Sequence, residues 1–165
     1  MIYSSMALRI ETERLILTPE EPSDVEWFAE LLNTRDAGTF TVADAGQRIE
    51  VMTQTIKTTG IGALVLRRRT DGEPLRYTAL VVGRCSLDEP EIAYELLPVF
   101  HGNGFATEAT HALLGAAFDT GRRRIWATIG PWNAPSLRVA EKLRFRVDRH
   151  SIETNGEVVW MVCDC

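Results

Sequence analysis

The stretch HGNGFATEAT, which runs from His101 to Thr110, decides how this chain folds. Two glycines flank one residue, and the residues after them have helical spacing and composition. Before them, the β-rich run EIAYELLP ends at Pro98. A strand, a glycine-rich turn and a helix start together present free backbone N–H groups at the positive end of a helix dipole. The stretch therefore predicts a turn that can hold a phosphate group.

Two common phosphate-binding motifs fit this turn poorly. A P-loop requires Gly-Lys-Ser/Thr at its end, and no such sequence follows Gly104. A dinucleotide-binding turn requires a third glycine early in the chain, whereas Thr107 takes that place here and the turn comes late. A nicotinamide-dependent enzyme is therefore disfavoured.

Length and composition indicate one globular domain that spans residues 1–165. The chain is 45% hydrophobic and 25% charged, without an internal repeat or a biased tract. Its net charge of −5 argues against non-specific binding to nucleic acid, which needs clustered Lys and Arg. No apolar run has the length of a membrane span, so no membrane partner is expected.

The three cysteines are Cys85, Cys163 and Cys165. They lack the spacing of a metal site, and an odd count gives no complete disulfide framework. Free thiols are typical of a reducing compartment. We therefore expect a cytoplasmic protein without a bound metal.

Hydrophobic periodicity predicts the element order β-α-α-β-β-β-α-β-α-β-β. The first helix is predicted to begin with a capping box formed by Ser23 and Glu26, and a polar loop is predicted over residues 34–46. The predicted strands cover 8–19, 61–69, 77–87, 91–97, 124–130, 145–153 and 157–163, and the later helices cover 45–60, 104–121 and 134–143. These elements predict an α+β fold with a mixed, mostly antiparallel twisted sheet of about seven strands, flanked by about four helices in three layers.

The segment from Glu91 to Phe145 resembles the GNAT superfamily of acetyl-CoA-dependent N-acyltransferases, and more narrowly its RimJ/RimL-type branch. The matching motifs are ELLP before the turn, Gly-x-Gly-Phe-Ala-Thr-Glu-Ala within it, then Asn-x-x-Ser and RVAEKL-x-F. The opening IETERLIL and the β-α-α order extend the resemblance to nearly the whole chain. Each motif is weak alone, and together they are specific. The resemblance implies acetyl-CoA as co-substrate and a sheet that is splayed between the fourth and fifth predicted strands.

The resemblance also implies where coenzyme A binds. Its pantetheine arm would pair with the strand backbone at about Leu96 and Leu97 and with the side chain of Asn133. Ser136 would lie close to the thioester sulfur. The pyrophosphate would lie on the backbone amides of His101, Gly102, Asn103, Gly104, Phe105, Ala106 and Thr107.

Two basic residues on the helix that follows Asn133 have two possible roles. Arg138 and Lys142 are four residues apart on one helical face, where they either meet the nucleotide phosphates or remain solvated. Lys142 is included among the predicted cofactor-binding residues.

Two positions depart from the family pattern. His101 stands where the family usually has Arg or Gln, so a fixed charge or an amide is lost at the turn. Arg144 stands where the family normally has Gly in Leu-Gly-Phe. If that position needs a left-handed backbone, Arg costs about 1 kcal/mol relative to Gly.

Acyl transfer to an amine needs a base for the ammonium, a donor to the thioester carbonyl and a proton for the departing thiolate. Glu95, on the strand beside the cofactor, is the predicted base, and the alternative is an ion pair with an Arg on the neighbouring strand. Ser136 is the predicted acid, and the alternative is an ordinary first-turn helix residue. The backbone N–H near Leu96 is predicted to polarise the carbonyl.

Three neighbouring residues have simpler interpretations. Tyr94 is predicted to pack in the core, because it alternates with Glu95 along the strand. Glu108 in the first turn of its helix is predicted to compensate the helix dipole. Asn133 is predicted to cap the next helix, which leaves its amide donors free for a ligand.

Together these features predict an N-acyltransferase that passes acetyl from acetyl-CoA to a primary amine by direct attack in a ternary complex. The acceptor is a protein N-terminal α-amine or a small-molecule amine, and the protein is a monomer or a homodimer. The alternative is a non-catalytic acyl-CoA-binding module, which the departures at His101 and Arg144 favour.

Overall fold

A computed structural model describes residues 2–35 and 38–165. The strands within these residues are β1 (Ile10–Glu11), β2 (Leu15–Thr18), β3 (Ala63–Arg68), β4 (Pro74–Val81), β5 (Glu91–Leu96), β6 (Arg124–Ile129), β7 (Arg146–Glu153) and β8 (Gly156–Asp164). The α-helices are α1 (Val25–Arg35), α2 (Val42–Thr59), α3 (Phe105–Asp119) and α4 (Ala134–Lys142). The strands form a sheet in the order β1-β2-β3-β4-β5-β6-β8-β7, and every neighbouring pair is antiparallel except β5 and β6. The predicted α+β fold is confirmed.

The described residues contain eight strands rather than about seven, because the predicted first strand divides at Thr12. The N–H of Thr12 donates to the carbonyl of Leu15 at 2.9 Å, and the Thr12 hydroxyl accepts from the N–H of Leu15 at 3.1 Å. These bonds close a tight turn, so β1 and β2 pair with each other as a short hairpin.

The strand predicted over residues 77–87 is wrong at both ends. β4 begins at Pro74 and stops at Val81. The chain then turns, because Gly83 adopts a left-handed backbone with φ of +53° and the N–H of Cys85 donates to the carbonyl of Val82 at 2.7 Å.

The capping box predicted from Ser23 and Glu26 is also wrong. A single 3₁₀ turn over Pro22–Asp24 precedes α1, and Glu21 is its N-cap. The carboxylate of Asp24 accepts from the N–H of Glu21 at 2.7 Å, so the box forms two residues earlier than predicted.

The loop predicted over residues 34–46 is too long, because helices take both of its ends. α1 continues to Arg35, and α2 begins at Val42 behind a capping box in which Thr41 and Asp44 bond reciprocally. Residues 36 and 37 of this predicted loop lie outside the described residues.

The helices cover both faces of the sheet, as the predicted three layers require. Leu64 and Leu66 belong to the main core, which α3 and α4 complete through residues such as Leu113 and Ala140. Val65 points to the opposite face and is paired in register with Tyr77, which packs against a smaller core formed by α1 and α2. None of the described helices is long and apolar enough to span a membrane.

The sheet opens between β5 and β6. These parallel strands are in register at Glu91 and Trp126 alone, where the N–H of Trp126 donates to the carbonyl of Pro90 at 2.9 Å. Beyond this point the strands diverge and leave a gap, here called the wedge. The splay predicted between the fourth and fifth predicted strands is confirmed, because those strands correspond to β5 and β6.

Candidate active site

A cleft of about 600 Å³ lies at the wedge and gathers most of the predicted site residues. β5 and the turn after it form one wall, and the starts of α3 and α4 form the other. Its lining includes Glu95, Leu96, His101, Gly102, Gly104, Phe105, Ala106, Thr107, Asn133, Ser136, Arg138 and Lys142. A larger and shallower groove of about 1050 Å³ runs along α2, but it contains none of the predicted site residues.

The backbone of β5 presents an unpaired strand edge to the wedge. The carbonyl of Pro90 points toward β6, whereas the N–H of Leu97 donates to the carbonyl of Leu75 next to β4 at 3.1 Å. Because backbone groups alternate in direction along a strand, those of Tyr94 and Leu96 face the wedge. The pairing predicted at Leu97 is therefore wrong, and Tyr94 with Leu96 supplies the free edge.

The turn between β5 and α3 contains two left-handed glycines. Gly102 has φ of +78° and Gly104 has φ of +79°, a region in which other residues are strained. Gly104 is the N-cap of α3 and provides no side-chain cap. The first N–H groups of α3, on Phe105, Ala106 and Thr107, therefore have no helical partners and lie at the cleft.

Asn103 has a different position from the one predicted. It lies outside the cleft lining, and its Nδ2 donates to the carbonyls of His101 at 3.2 Å and Phe100 at 3.4 Å. Its side chain therefore braces the turn from within.

Arg14 holds the turn from outside, and the sequence reasoning did not find this residue. Its Nη1 donates to the carbonyl of Asn103 at 2.9 Å, and its guanidinium lies 4.2 Å from the ring centroid of Phe105. Its Nε donates to Glu108 at 2.7 Å, and the Thr12 hydroxyl donates to the same carboxylate at 2.6 Å. The IETERLIL motif contained Arg14, but the pairing joins residues 94 positions apart.

Glu108 is therefore an ion-pair partner as well as a first-turn acid. Burial raises the pKa of its carboxyl, but hydrogen bonds from Thr12 and Arg14 outweigh that effect and leave the pKa below its usual value. The carboxylate stays charged and fixes β2 to the start of α3.

The side chain of His101 lies against the free edge of β5. Its Nε2 is 2.9 Å from the carbonyl oxygen of Leu96, one of the backbone groups that face the wedge. The backbone N–H of His101 donates to the carbonyl of Pro98 at 3.1 Å, so this amide is already paired in the turn and differs from the free donor predicted for the pyrophosphate.

Arg144 has the left-handed backbone that the family glycine would favour. Its φ is +67°. The N–H of Phe145 donates to the carbonyl of Ala140 at 3.0 Å and the N–H of Arg144 to that of Glu141 at 2.9 Å, which is the Schellman pattern at the end of α4.

The start of α4 faces the free edge of β5. Asn133 caps this helix, because its Oδ1 accepts from the N–H of Ser136 at 3.3 Å. The hydroxyl of Tyr94 donates to the carbonyl of Ser136 at 2.6 Å, and burial raises the pKa of this phenol. Tyr94 thus bridges the wedge and lines the cleft, and its prediction as a core residue is wrong.

Glu95 lies where the cleft meets α1. Its carboxylate pairs with the guanidinium of Arg35, the last residue of α1, and 40% of its side chain is exposed. Arg35 also donates to the hydroxyl of Tyr77 at 2.6 Å, and burial raises the pKa of that phenol. An ion pair was the predicted alternative for Glu95, but its partner comes from a helix rather than from the neighbouring strand.

The described residues contain no group of three or more His, Cys, Asp or Glu that could hold a metal ion. Cys85, Cys163 and Cys165 are all free thiols.

Comparison with known proteins identifies acetyltransferases both by sequence model and by structure. A family model described as an acetyltransferase (GNAT) domain matches residues 14–146. No curated protein matches the chain in sequence. A solved GNAT-family acetyltransferase from Bordetella pertussis is 25% identical, with a TM-score of 0.77 over 94% of this chain and 99% of that one.

Two solved structures of lower identity share the fold. The ribosomal-protein-S5-alanine acetyltransferase of Vibrio fischeri is 17% identical, with a TM-score of 0.81 over 96% of this chain and 97% of that one. RimJ of Mycobacterium smegmatis, solved in complex with CoA-disulfide, is 19% identical, with a TM-score of 0.77 over 95% of this chain and 87% of that one.

Proposed function

Because this chain belongs to the GNAT family of acetyltransferases, and is therefore an acetyl-CoA-dependent N-acetyltransferase, we propose that acetyl transfer takes place in the cleft at the wedge. One observation carries the proposal. An unpaired strand edge, an uncapped helix start and a carboxylate all meet in this cleft.

The turn and the two helix starts suit the pyrophosphate of coenzyme A. The amides of Phe105, Ala106 and Thr107 supply donors at the positive end of α3. Arg138 and Lys142 line the same cleft from α4 and supply positive charge. Added Cβ atoms at Gly102 would meet no protein atom within 4 Å, so its surroundings are open for a ligand.

The free edge of β5 suits the amides of the pantetheine arm. Tyr94 and Leu96 offer backbone donors and acceptors there, and Asn133 faces them with amide hydrogens that its capping role leaves free. The carbonyl oxygen of Leu96 is already 2.9 Å from Nε2 of His101, and its second lone pair is available to a pantetheine N–H.

The chemistry then follows a direct attack. Glu95 accepts a proton from the acceptor ammonium, and the neutral nitrogen bonds to the thioester carbon while the N–H of Leu96 stabilises the oxyanion. The C–S bond breaks, and the thiolate takes a proton from the hydroxyl of Ser136. The second proton, which the nitrogen loses as the amide forms, passes through water to the Ser136 oxygen, and Glu95 releases its own proton to solvent. An α-amine has a reference pKa of about 7.7–8.0, so a carboxylate or a water linked to it is a sufficient base.

We propose a primary amine as acceptor, on a protein N-terminus or on a small molecule. The name of the Vibrio fischeri structure, which cites a ribosomal protein, supports keeping a protein amine among the candidates. The free thiols support a reducing compartment, the cytoplasm, and we propose a monomer or a homodimer that acts without nucleic acid or membrane.

Thiol release from acetyl-CoA tests this proposal. The protein is assayed with a panel of small amines and with N-terminal peptides of ribosomal proteins, and its melting temperature is measured with coenzyme A and with NADH. We expect amine-dependent thiol release and stabilisation by coenzyme A. Stabilisation by coenzyme A without turnover on any amine would favour a binding module, and stabilisation by NADH alone would refute the cofactor assignment.

A further inference from the structure

Arg76 in β4 has an unusual backbone that turns its side chain toward α1. Its φ is +114°, a region that is strained for a residue with a side chain. Leu75 is buried in the main core and Thr78 lies 3.4 Å from Thr110 of α3, so both face the α3 side. Tyr77 and Arg76 both contact residues of α1 instead.

Two successive residues that face the same way mark a β-bulge, and the register between β3 and β4 shifts at this point. The bulge puts Arg76 on the same side of the sheet as Tyr77 and Arg35. A strained backbone persists only where the surroundings enforce it, and such positions concentrate at functional sites.

The guanidinium of Arg76 has more hydrogen-bond donors than partners. Its Nη1 donates to the carbonyl of Trp27 at 3.3 Å, and the group lies 5.8 Å from the ring centroid of Trp27. Within residues 2–35 and 38–165 it has no other hydrogen bond and no carboxylate within 4 Å. An arginine carries five N–H donors, so most of them are available to an anion.

Arg76 lies on the strand next to the predicted base. It is paired in register with Leu96, one residue from the predicted base Glu95. The guanidinium of Arg35 pairs with the carboxylate of Glu95 from α1, and Arg76 lies one register position away on β4 with its side chain on the same side of the sheet.

This charge arrangement restricts which amine can approach. An acceptor ammonium that contacts Glu95 competes with Arg35 for that carboxylate, while Arg35 keeps its bond to the hydroxyl of Tyr77. An acceptor with its own carboxylate supplies a new partner for Arg35 and for Arg76. An acceptor with positive charge alone supplies no carboxylate to either arginine and is repelled by both.

We propose that the acceptor carries a carboxylate next to its reactive amine, and that Arg76 and Arg35 bind that carboxylate while Glu95 receives the amine. The inference rests on the proposed function. Free α-amino acids and peptides with an acidic side chain near the N-terminus share this chemistry, whereas polyamines and lysine-rich peptides lack it.

Matched acceptors test the proposal. Phenylalanine, phenylalaninamide and phenethylamine form one set, and peptides that begin Ser-Glu or Ser-Gln form a second set. In the wild-type protein we expect kcat/KM to be about tenfold or more higher for the carboxylate-bearing member of at least one set, because charge-assisted bonds are the stronger ones. The set that shows the preference identifies the source of the carboxylate.

Variants then test whether Arg76 and Arg35 cause the preference for carboxylate-bearing acceptors. Arg76→Gln is expected to reduce the preference to less than about threefold without changing the KM for acetyl-CoA. Arg48→Gln, on the exposed face of α2, is the matched control and should retain the full preference. If Arg76→Gln does not fold, Arg35→Gln takes its place in the same comparison.

The outcomes separate this inference from the proposed function. Equal acetylation of the carboxylate and amide members of both sets, or a preference for phenethylamine, overturns the inference and leaves the acetyltransferase intact. A preference that survives in the arginine variants also overturns it. Absence of turnover on every amine overturns the proposed function itself.

Discussion

The two halves of the cleft are built from different kinds of contact. The cofactor half, which comprises the turn 98–104 and the starts of α3 and α4, consists mainly of backbone groups and left-handed glycines. The proposed acceptor half, which comprises Glu95 in the cleft and the side chains of Arg35, Tyr77 and Arg76 beside it, consists of polar and charged side chains. Its ion pair between Arg35 and Glu95 joins residues 60 positions apart.

This difference has consequences for binding and for stability. A backbone cradle keeps its charge distribution at any pH, so we expect it to set the affinity for acetyl-CoA. A side-chain network responds to titration and to single substitutions, so we expect it to set turnover and acceptor choice. The acceptor half also has a small core of its own and is anchored to β3 by the buried pair of Asp24 and Arg67 at 2.7 Å.

The largest expected effect is that of Glu95→Gln. Loss of the base should lower kcat by about 10²–10⁴-fold, the usual contribution of general-base catalysis, while the KM for acetyl-CoA stays within about twofold. Steady-state thiol release measures both parameters. Glu30→Gln, at an exposed position of α1, is the matched control. If the Glu95→Gln protein has the kcat of wild type, water deprotonates the amine and Glu95 is not the base.

The next effect is on stability and concerns Glu20, which lies beside the buried pair. Burial raises the pKa of its carboxyl from 4.5 to about 7. Because the folded state favours the neutral acid, protonation of Glu20 stabilises the fold. This contribution to the free energy of unfolding is fully present below the unfolded pKa of 4.5 and is lost as pH rises through about 7. The loss in the free energy of unfolding over this pH range corresponds to ~3 kcal/mol.

Glu20→Gln should therefore raise stability at pH 8 and flatten the decline in melting temperature between pH 5 and pH 8. Denaturant unfolding of wild type and variant at both pH values measures this. Asp24 does not interfere. Although burial raises its pKa, hydrogen bonds from Arg67, Trp27 and the N–H of Glu21 leave that pKa below 3.8, so its titration falls at lower pH. A wild-type decline that persists in Glu20→Gln would contradict the assignment.

In the cofactor half, Gly102→Ala should raise the KM for acetyl-CoA by about fivefold to tenfold and leave kcat unchanged. A Cβ at this left-handed position costs about 1 kcal/mol and enters the space proposed for phosphate. Gly72→Ala is a close control, because Gly72 has φ of +74° and equally open surroundings in the hairpin between β3 and β4. Both variants should lose similar stability. If the two have equal KM values for acetyl-CoA, the turn at Gly102 does not contribute to cofactor binding.

The smallest effect is expected for Arg144→Gly, which restores the family residue at the end of α4. Removing the Cβ from a left-handed position should stabilise the protein by about 1 kcal/mol without changing the acceptor preference. Thermal unfolding measures the gain. A loss of stability would show that the side chain of Arg144 compensates for its strained backbone.

The local geometry of the turn and of the start of α4 could be predicted from the sequence, because its determinants are local. Gly104 ends a strand-to-helix turn, Asn133 caps α4, and both signals lie within a few residues of the structure that they specify. The fold class, the element order and the splay were also predictable, since hydrophobic periodicity and the resemblance extend over the whole chain.

The acceptor half could not be predicted, because its determinants are distant in sequence. The side chain of Arg35 reaches a residue on another element, and Arg76 reaches α1 through a bulge that no motif marks. The capping box failed for a related reason. Asp24 satisfies the N–H of Glu21 and also pairs with Arg67, 43 positions away, so tertiary contacts fixed the helix start.

Direct binding of coenzyme A tests most sharply whether the two halves have separate roles. Isothermal titration with wild type, Gly102→Ala and Glu95→Gln gives a Kd for each. The division of labour predicts a Kd raised about fivefold or more by Gly102→Ala and changed by less than about twofold by Glu95→Gln. A Kd that is unaffected by Gly102→Ala but strongly raised by Glu95→Gln would contradict it.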